Sequence, residues 1–337
     1  MTDTILHPPA EWAPHSVIWT AWPADEELWL DDLGPAQAEV AAMVRLLAAD
    51  GPGGRRGDRV KVLVNGPTAM LSAEKLIGEH AELIDATYGD IWLRDTGPVF
   101  YSKNRCALFT FNGWGGKYVL EGDDTVGAFV AIEAQADATR WDRVLEGGAV
   151  DCDGEGTILT TKECLLNPNR NPLMTPDQIR GLLGDALGGR AVIWIERGLI
   201  NDHTDGHVDN IARFVAPGVV VCQAPADADD PHKERLEEIA SFLKTQRDAR
   251  GRLLQVVQIP SPGRVEDEDG DVAPASHMNF IIGNATVVVP TYGTATAQAA
   301  VDALKPYFPG RNVVGSPSNH ILTGGGSFHC ITQQQPE

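Results

Sequence analysis

TGGGSFHC, residues 323–330, sets three glycines ahead of a serine, a phenylalanine, a histidine and a cysteine. It is the last of five turn-like segments, each read as the end of a strand-like run. The others are WTAWP (19–23), GDIWLRDTGP (89–98), LEGGAVD (145–151) and NDHTDGHVDN (201–210), the last with a later echo in ASHMNF (275–280). Counted from Trp22, the key polar positions fall at Asp95, Glu146, His207, Asn279 and Cys330, with separations of 73, 51, 61, 72 and 51 residues. One helix-like stretch fits into most of these intervals. The spacing suits modules of roughly 50–70 residues that each deliver one loop to a shared centre. Ordinary strand-end turns would give the same spacing, so both readings stay open on spacing alone.

Between the segments, short runs rich in Val, Ile and aromatics predict strands: SVIWTAW (16–22), RVKVLV (59–64), ALFTF (107–111), GTILTT (156–161), AVIWI (191–195), GVVVCQ (218–223), LLQVVQI (253–259), NFIIG (279–283) and ATVVVP (285–290). Amphipathic stretches at 35–50, 124–136, 176–187, 231–249 and 295–308 predict helices. Pro35, Pro176 and Pro231 suit first helical positions, and Thr175 suits an N-cap. Leu236, Ile239, Ala240 and Leu243 form a one-sided stripe over a charged, solvated face. Strands and helices interleave from end to end, so the class is α/β or mixed α+β.

The 337 residues are 43% hydrophobic and 22% charged, as in ordinary folded proteins. The formal net charge is −20. Such an acidic surface repels phosphate backbones, which argues against nucleic acid and anionic membranes as partners. It is compatible with a cationic small molecule. No basic start followed by an apolar run marks a secretory signal, and five cysteines make an odd count, so reduced thiols in the cytoplasm are expected. EDEDGD (266–271) has alternating Asp267, Asp269 and Asp271, but Met278 stands at the twelfth position, which excludes an EF-hand and leaves a solvated acidic loop. No phosphate-cradling glycine motif is present.

Cys330 is the residue with the strongest chemical context. Glycines allow close backbone approach, so the thiol is expected to face a site. A cysteine nucleophile needs a proton carrier, and His207 in GHVDN is the best placed. In an extended strand, His207 and Asp209 would share a face. Asp95 and Asp209 are the paired carboxylates. Asp95 could equally pair with Arg94 or cap a turn, and Glu146 before Gly-Gly is unremarkable in a turn. Trp92 and Trp114 lie near these loops, with core packing the plainer role, above all for Trp114. A rival reading places His203 and His207 four apart on a helix with Asp209, as ligands of a hydrolytic zinc. The Asp-Gly inside HTDGH is turn chemistry and weighs against it.

WLRDTGP (92–98), FNGWGG (111–116), EGGAVDCDGEGTILTTKECLLNPNRNP (146–172), GHVDN (206–210) and GGGSFHCITQQQP (324–336) together resemble the agmatine deiminases of the guanidino-modifying superfamily. The resemblance runs over essentially the full chain. It implies a pentein fold, with five ββαβ-like modules about a pseudo-fivefold axis in one catalytic domain spanning 1–337. It also implies hydrolysis of agmatine to N-carbamoylputrescine and ammonia, in polyamine synthesis, without metal or cofactor, by a homodimer. Carried over to matching positions, Cys330 is the nucleophile and His207 the general acid and base. Asp95 and Asp209 hold the guanidinium, Glu146 supports the histidine and substrate, and Trp92 is an aromatic wall.

The sequence departs from that pattern in three places. His203 stands where the family's D-E-T-x-G-H has a glutamate that serves the substrate's far amino group. His277 stands where tyrosine is common, and the stretch 262–278 is short. The tail of the substrate is therefore open, with arginine or peptidyl-arginine as alternatives. An amidinotransferase, or a guanidine-binding protein without turnover, is a further rival.

Overall fold

In the computed structural model, which describes residues 7–337, the apolar runs pair into five small sheets. The first contains β1 (His15–Ala21), β2 (Val60–Val64) and β3 (Ala81–Asp85). The second contains β4 (Val99–Ser102), β5 (Arg105–Thr110) and β6 (Asp137–Val144), and the third β7 (Val150–Cys152), β8 (Thr157–Thr161) and β9 (Ala191–Ile195). The fourth contains β10 (Ala212–Ala216), β11 (Val219–Ala224) and β12 (Gln255–Pro260), and the fifth β13 (Ile281–Ile282), β14 (Thr286–Thr291) and β15 (Asn312–Pro317). The remaining strand, β16 (Thr332–Pro336), returns to the first sheet and pairs antiparallel with β1.

Each sheet repeats one pattern. A first strand runs antiparallel to a middle strand, and the middle strand runs parallel to a third. Parallel neighbours need a crossover. It is supplied by α1 (Leu33–Ala48) between β1 and β2; the first sheet then adds α2 (Pro67–Ile77) before β3. The other crossovers are α3 (Val126–Glu133), α4 (Pro176–Leu187), α5 (Lys233–Leu243) and α6 (Ala297–Leu304). These are the five ββαβ modules of the pentein fold, and the chain is α/β.

Local chemistry explains the helix starts. Thr175 and Gln178 form a capping box, with Pro176 at the first position of α4 as expected. Pro35 differs, because α1 begins two residues earlier; its missing N–H is still one of the free first-turn donors. Pro231 lies ahead of the His232 N-cap of α5, whose stripe Leu236, Ile239, Ala240 and Leu243 is buried. Helix α2 escaped the sequence reading although Ala69, Ala73 and Ile77 bury one face. Strands β3, β4, β6, β7, β10, β15 and β16 also escaped it. Of β6 only Val144 is buried, and β16 reads TQQQP, so neither shows an apolar pattern.

The fold also corrects how the polar segments are placed. WTAWP closes β1 and LEGGAVD follows directly on β6, as expected, but four of the segments, LEGGAVD among them, also lead into the first strand of a module. Asp95 lies in the helical turn Leu93–Thr96 before β4, and Glu146 precedes the turn Gly147–Ala149 before β7. His207 caps the turn Val208–Asn210 before β10, Asn279 precedes β13, and Cys330 precedes β16. Trp22, from which the spacing was counted, follows the middle strand β1 and has no equivalent role. The position of the first module is taken by Cys330, which closes the ring from the far end of the chain. His207 and Asp209 thus sit in a 3-10 turn, not in the extended strand expected. Among the described residues, no helix is long and apolar enough to cross a membrane.

Candidate active site

Five equivalent turns bring five polar side chains together. Asn279 donates its amide N–H to Cys330 Sγ at 2.9 Å, and its Oδ1 accepts from the backbone N–H of His329 and Cys330 at 2.9 and 3.2 Å. Asp209 Oδ2 lies 3.6 Å from Cys330 Sγ and 2.7 Å from His329 Nδ1. His207 Nδ1 lies 3.7 Å from Asp95 Oδ2. Gly148 forms the floor between them and donates its N–H to Asp95 Oδ1 at 2.9 Å. A methyl group on Gly148 would stand 2.6 Å from His207 Nδ1 and about 3 Å from Asp95 and Asp209, so only glycine fits.

Each of these groups is held from behind. Trp114 donates its indole N–H to Asp95 Oδ2 at 2.9 Å, from a backbone φ of +52°. A non-glycine residue in that region is costly and is kept where surrounding contacts demand it. Arg170, in NPNRNP, donates from Nε to Glu146 Oε1 at 2.5 Å and from Nη1 to Asp205 Oδ2 at 2.7 Å. Behind Asp209, His329 Nε2 lies 2.9 Å from Glu11 Oε2, and Glu11 pairs with Arg213, which also bonds Asp151 at 2.6 Å. Arg94 faces away from Asp95 and donates to Gln333 and Gln334 of β16 at 3.0 and 2.7 Å. The Arg94–Asp95 pair considered from sequence is absent.

The electrostatics follow from burial and crowding. Burial pushes the Cys330 thiol well above its ordinary range, and Asp209 and Asp95 push it further. Burial opposes the His207 imidazolium, but Asp95, then Glu146 and Asp209, outweigh it and raise its pKa. Asp209 is lowered despite burial, chiefly by the hydrogen bond and charge of His329. Asp95 is raised by burial, with Asp209 and Glu146 adding to it. Cys330 is 5% exposed, its sulfur turned toward Asp209 and Asn279 of the cluster rather than toward solvent. Four buried atoms here, His207 Nδ1 and Nε2, Glu146 Oε2 and Asp209 Oδ1, have no hydrogen-bond partner among the described residues. Each such atom costs roughly 1–3 kcal/mol. Unpartnered carboxylate oxygens of Glu146 and Asp209, with the His207 imidazole, suit a planar cation with several N–H donors.

Trp92 is buried, stacks on Trp29 and donates its indole N–H to Asp90 at 2.6 Å. Its ring packs under the 324–326 loop, where a methyl on Gly326 would meet Trp92 at 2.6 Å and Cys330 Sγ at 3.1 Å. Burial lifts the Asp90 carboxyl to about 6. His203 stands apart from the buried cluster. It is exposed, stacks on Tyr118 at 5.9 Å and meets the Tyr118 hydroxyl through Nδ1 at 3.0 Å. It lies beside Gly325, at the rim. Residues 201–207 form turns rather than a helix, so the pairing of His203 and His207 required for a hydrolytic zinc does not form. His277 is buried, with Nδ1 2.8 Å from the Pro290 carbonyl. Burial lowers its pKa.

Sequence reasoning reached Asn279 by spacing only and gave it no role. It treated Trp114 as packing and missed Arg170, Gly148, Glu11 and the position of His329. For Arg170 the NPNRNP string was the available signal.

Similarity to known proteins is strong over the whole length. The family model of the Porphyromonas-type peptidyl-arginine deiminases matches residues 7–336. Agmatine deiminase of Stutzerimonas stutzeri is 38% identical over 97% of this chain and 95% of its own. Agmatine deiminase of Enterococcus faecalis superposes with a TM-score of 0.91 at 31% identity, covering 99% of this chain and 96% of that one. A substrate-bound C. jejuni agmatine deiminase, with a cysteine replaced by serine, gives 0.86 at 25% identity over 98% and 96%.

Proposed function

Because the chain belongs to the Porphyromonas-type peptidyl-arginine deiminase family, we propose that the buried cluster around Cys330 hydrolyses the guanidinium group of agmatine, giving N-carbamoylputrescine and ammonia. The carrying observation is that buried Glu146, Asp209 and His207 each keep an atom without a partner among the described residues, with the Cys330 sulfur 3.6 Å from Asp209.

In this reading Asp95 and Asp209 take guanidinium N–H groups and fix its plane, and Glu146 steadies His207 and the cation. The bound cation offsets the two carboxylates that hold the thiol neutral. The Cys330 proton moves to His207, whose carboxylate neighbours favour the imidazolium. The thiolate attacks the central carbon, forming a C–S bond. His207 returns the proton to one amino nitrogen, the C–N bond breaks, and ammonia leaves a thiouronium on Cys330. His207 then takes a proton from the incoming water. The new C–O bond forms and the C–S bond breaks, His207 returns its proton to the Cys330 sulfur, and the hydroxyl proton passes to solvent, where the ammonia already released takes it up, as the ureido product forms. None of these steps calls on a cofactor. The family likeness also carries a homodimer and a single catalytic domain as expectations.

The tail-specific alternative has its own support. His203 and Tyr118 at the rim replace an acidic residue with a stacked pair, which suits a different tail. Ammonia and ureido product, measured in parallel with agmatine, arginine and a peptidyl-arginine, decide it. Agmatine turnover is expected to exceed the others by at least about 10-fold. Preference for another guanidine would move the substrate, and no turnover of any would overturn the deiminase reading.

A further inference from the structure

Cys164 has no part in the steps above, yet its sulfur lies against them. It sits in the one-turn helix Lys162–Leu165, fully buried, with its N–H bonded to Thr161 Oγ1 at 3.2 Å. Its Sγ, a carboxylate oxygen of Glu146 and a ring nitrogen of His207 all lie within 4.8 Å of one another. Glu146 Oε2 and both His207 nitrogens are buried and have no partner among the described residues, so both neighbours of the thiol keep a free ligand atom. Thiolate, imidazole and carboxylate together form the donor set that selects zinc over calcium or magnesium.

We propose that Glu146, Cys164 and His207 form a latent site for a soft divalent metal, and that its occupancy shuts off turnover by capping His207. The inhibitory part rests on the deiminase reading above; the site itself does not. On binding, Cys164 loses its proton to solvent and its sulfur bonds the metal, while Glu146 and neutral His207 complete three ligands. Two anionic ligands balance the dication. Arg170, which bonds Glu146 Oε1, is also engaged by Asp205. Ligand atoms in a tetrahedral zinc site lie roughly 3.5 Å apart, so the three, already within 4.8 Å of one another, need only a small inward shift to hold a metal. A chain of net charge −20 draws cations toward such a centre.

Cobalt(II) chloride is the probe, because a thiolate–cobalt bond absorbs in the near ultraviolet whether or not the protein turns anything over. Wild type and Cys330→Ala should both show the band, and Cys164→Ser should lose it. Zinc inhibition, scaled to each variant's own activity, should weaken by at least 10-fold in Cys164→Ser. A band that survives in Cys164→Ser and vanishes in Cys330→Ala would overturn the proposal, since the metal would then sit on the nucleophile. Absence of the band in wild type would overturn it as well. If Cys164→Ser does not fold by thermal melt, His207→Gln carries the same test: cobalt affinity should fall at least 10-fold, and unchanged affinity counts against the site. Failure of the deiminase reading shows only as lost turnover, with the cobalt band intact.

Discussion

Cys330→Ala loses agmatine turnover by at least about 10⁴-fold in kcat while still binding agmatine. The thiol is the group placed to form a bond to carbon, and the cation receptor of Asp95, Asp209 and Glu146 is untouched by its removal. The variant should remain folded, because Asn279 keeps its bonds to Asn210 and to the backbone N–H groups of residues 329 and 330. Isothermal titration with agmatine and a coupled ammonia assay separate binding from chemistry. Residual turnover within 100-fold of wild type would remove Cys330 from the covalent role. In the wild type without substrate, the raised thiol pKa gives a matching signature. Alkylation of Cys330 by iodoacetamide should climb through about pH 9 without a plateau. A plateau near neutrality would mean a preformed thiolate.

His207→Gln lowers kcat by about 10²–10⁴-fold, because both the departure of ammonia and the attack of water lose their proton carrier. Cys330 should still be alkylated in this variant, which distinguishes a lost proton carrier from a collapsed site. The pH dependence has a definite sign. The folded pKa of His207 is raised above its ordinary 6.5, so the imidazolium stabilises the fold fully below that value. The contribution is lost as pH rises through the folded pKa. Wild-type stability should therefore decline on that alkaline side, and the decline should flatten in His207→Gln. Chemical denaturation at several pH values measures it, and an unchanged slope would count against a charged His207.

Much of this site was legible because its chemistry sits in turns. Cys330, His207, Asp95, Asp209 and Glu146 each stand within four residues of a glycine, where a polar side chain has little packing reason to be. The residues that hold them were not legible for an equally physical reason. Glu11 meets His329 across 318 positions and Trp114 meets Asp95 from a loop, and no local pattern encodes either contact. The strands show the same division. Runs such as VVVCQ declare themselves by apolar β-branched content. Strand β16 does not, because Gln333 and Gln335 are buried by amide hydrogen bonds to Arg94, Trp19 and Lys103. Hydrophobic periodicity is blind to a strand of that kind.

The pairing of β1 with β16 has a kinetic consequence. Trp19 and Gln335 join across 316 residues, whereas the other four sheets are each built from neighbouring stretches of chain. Closing so long a loop is entropically costly and slow compared with local pairing. Cys330 lies two residues from this seam, so the nucleophile is delivered by the final closure rather than by the assembly of any other sheet. On dilution from denaturant, tryptophan fluorescence should therefore recover ahead of ammonia-releasing activity. Simultaneous recovery would place the seam early in folding. If the lag is seen, regained activity becomes a clock for the last step by which the ring shuts.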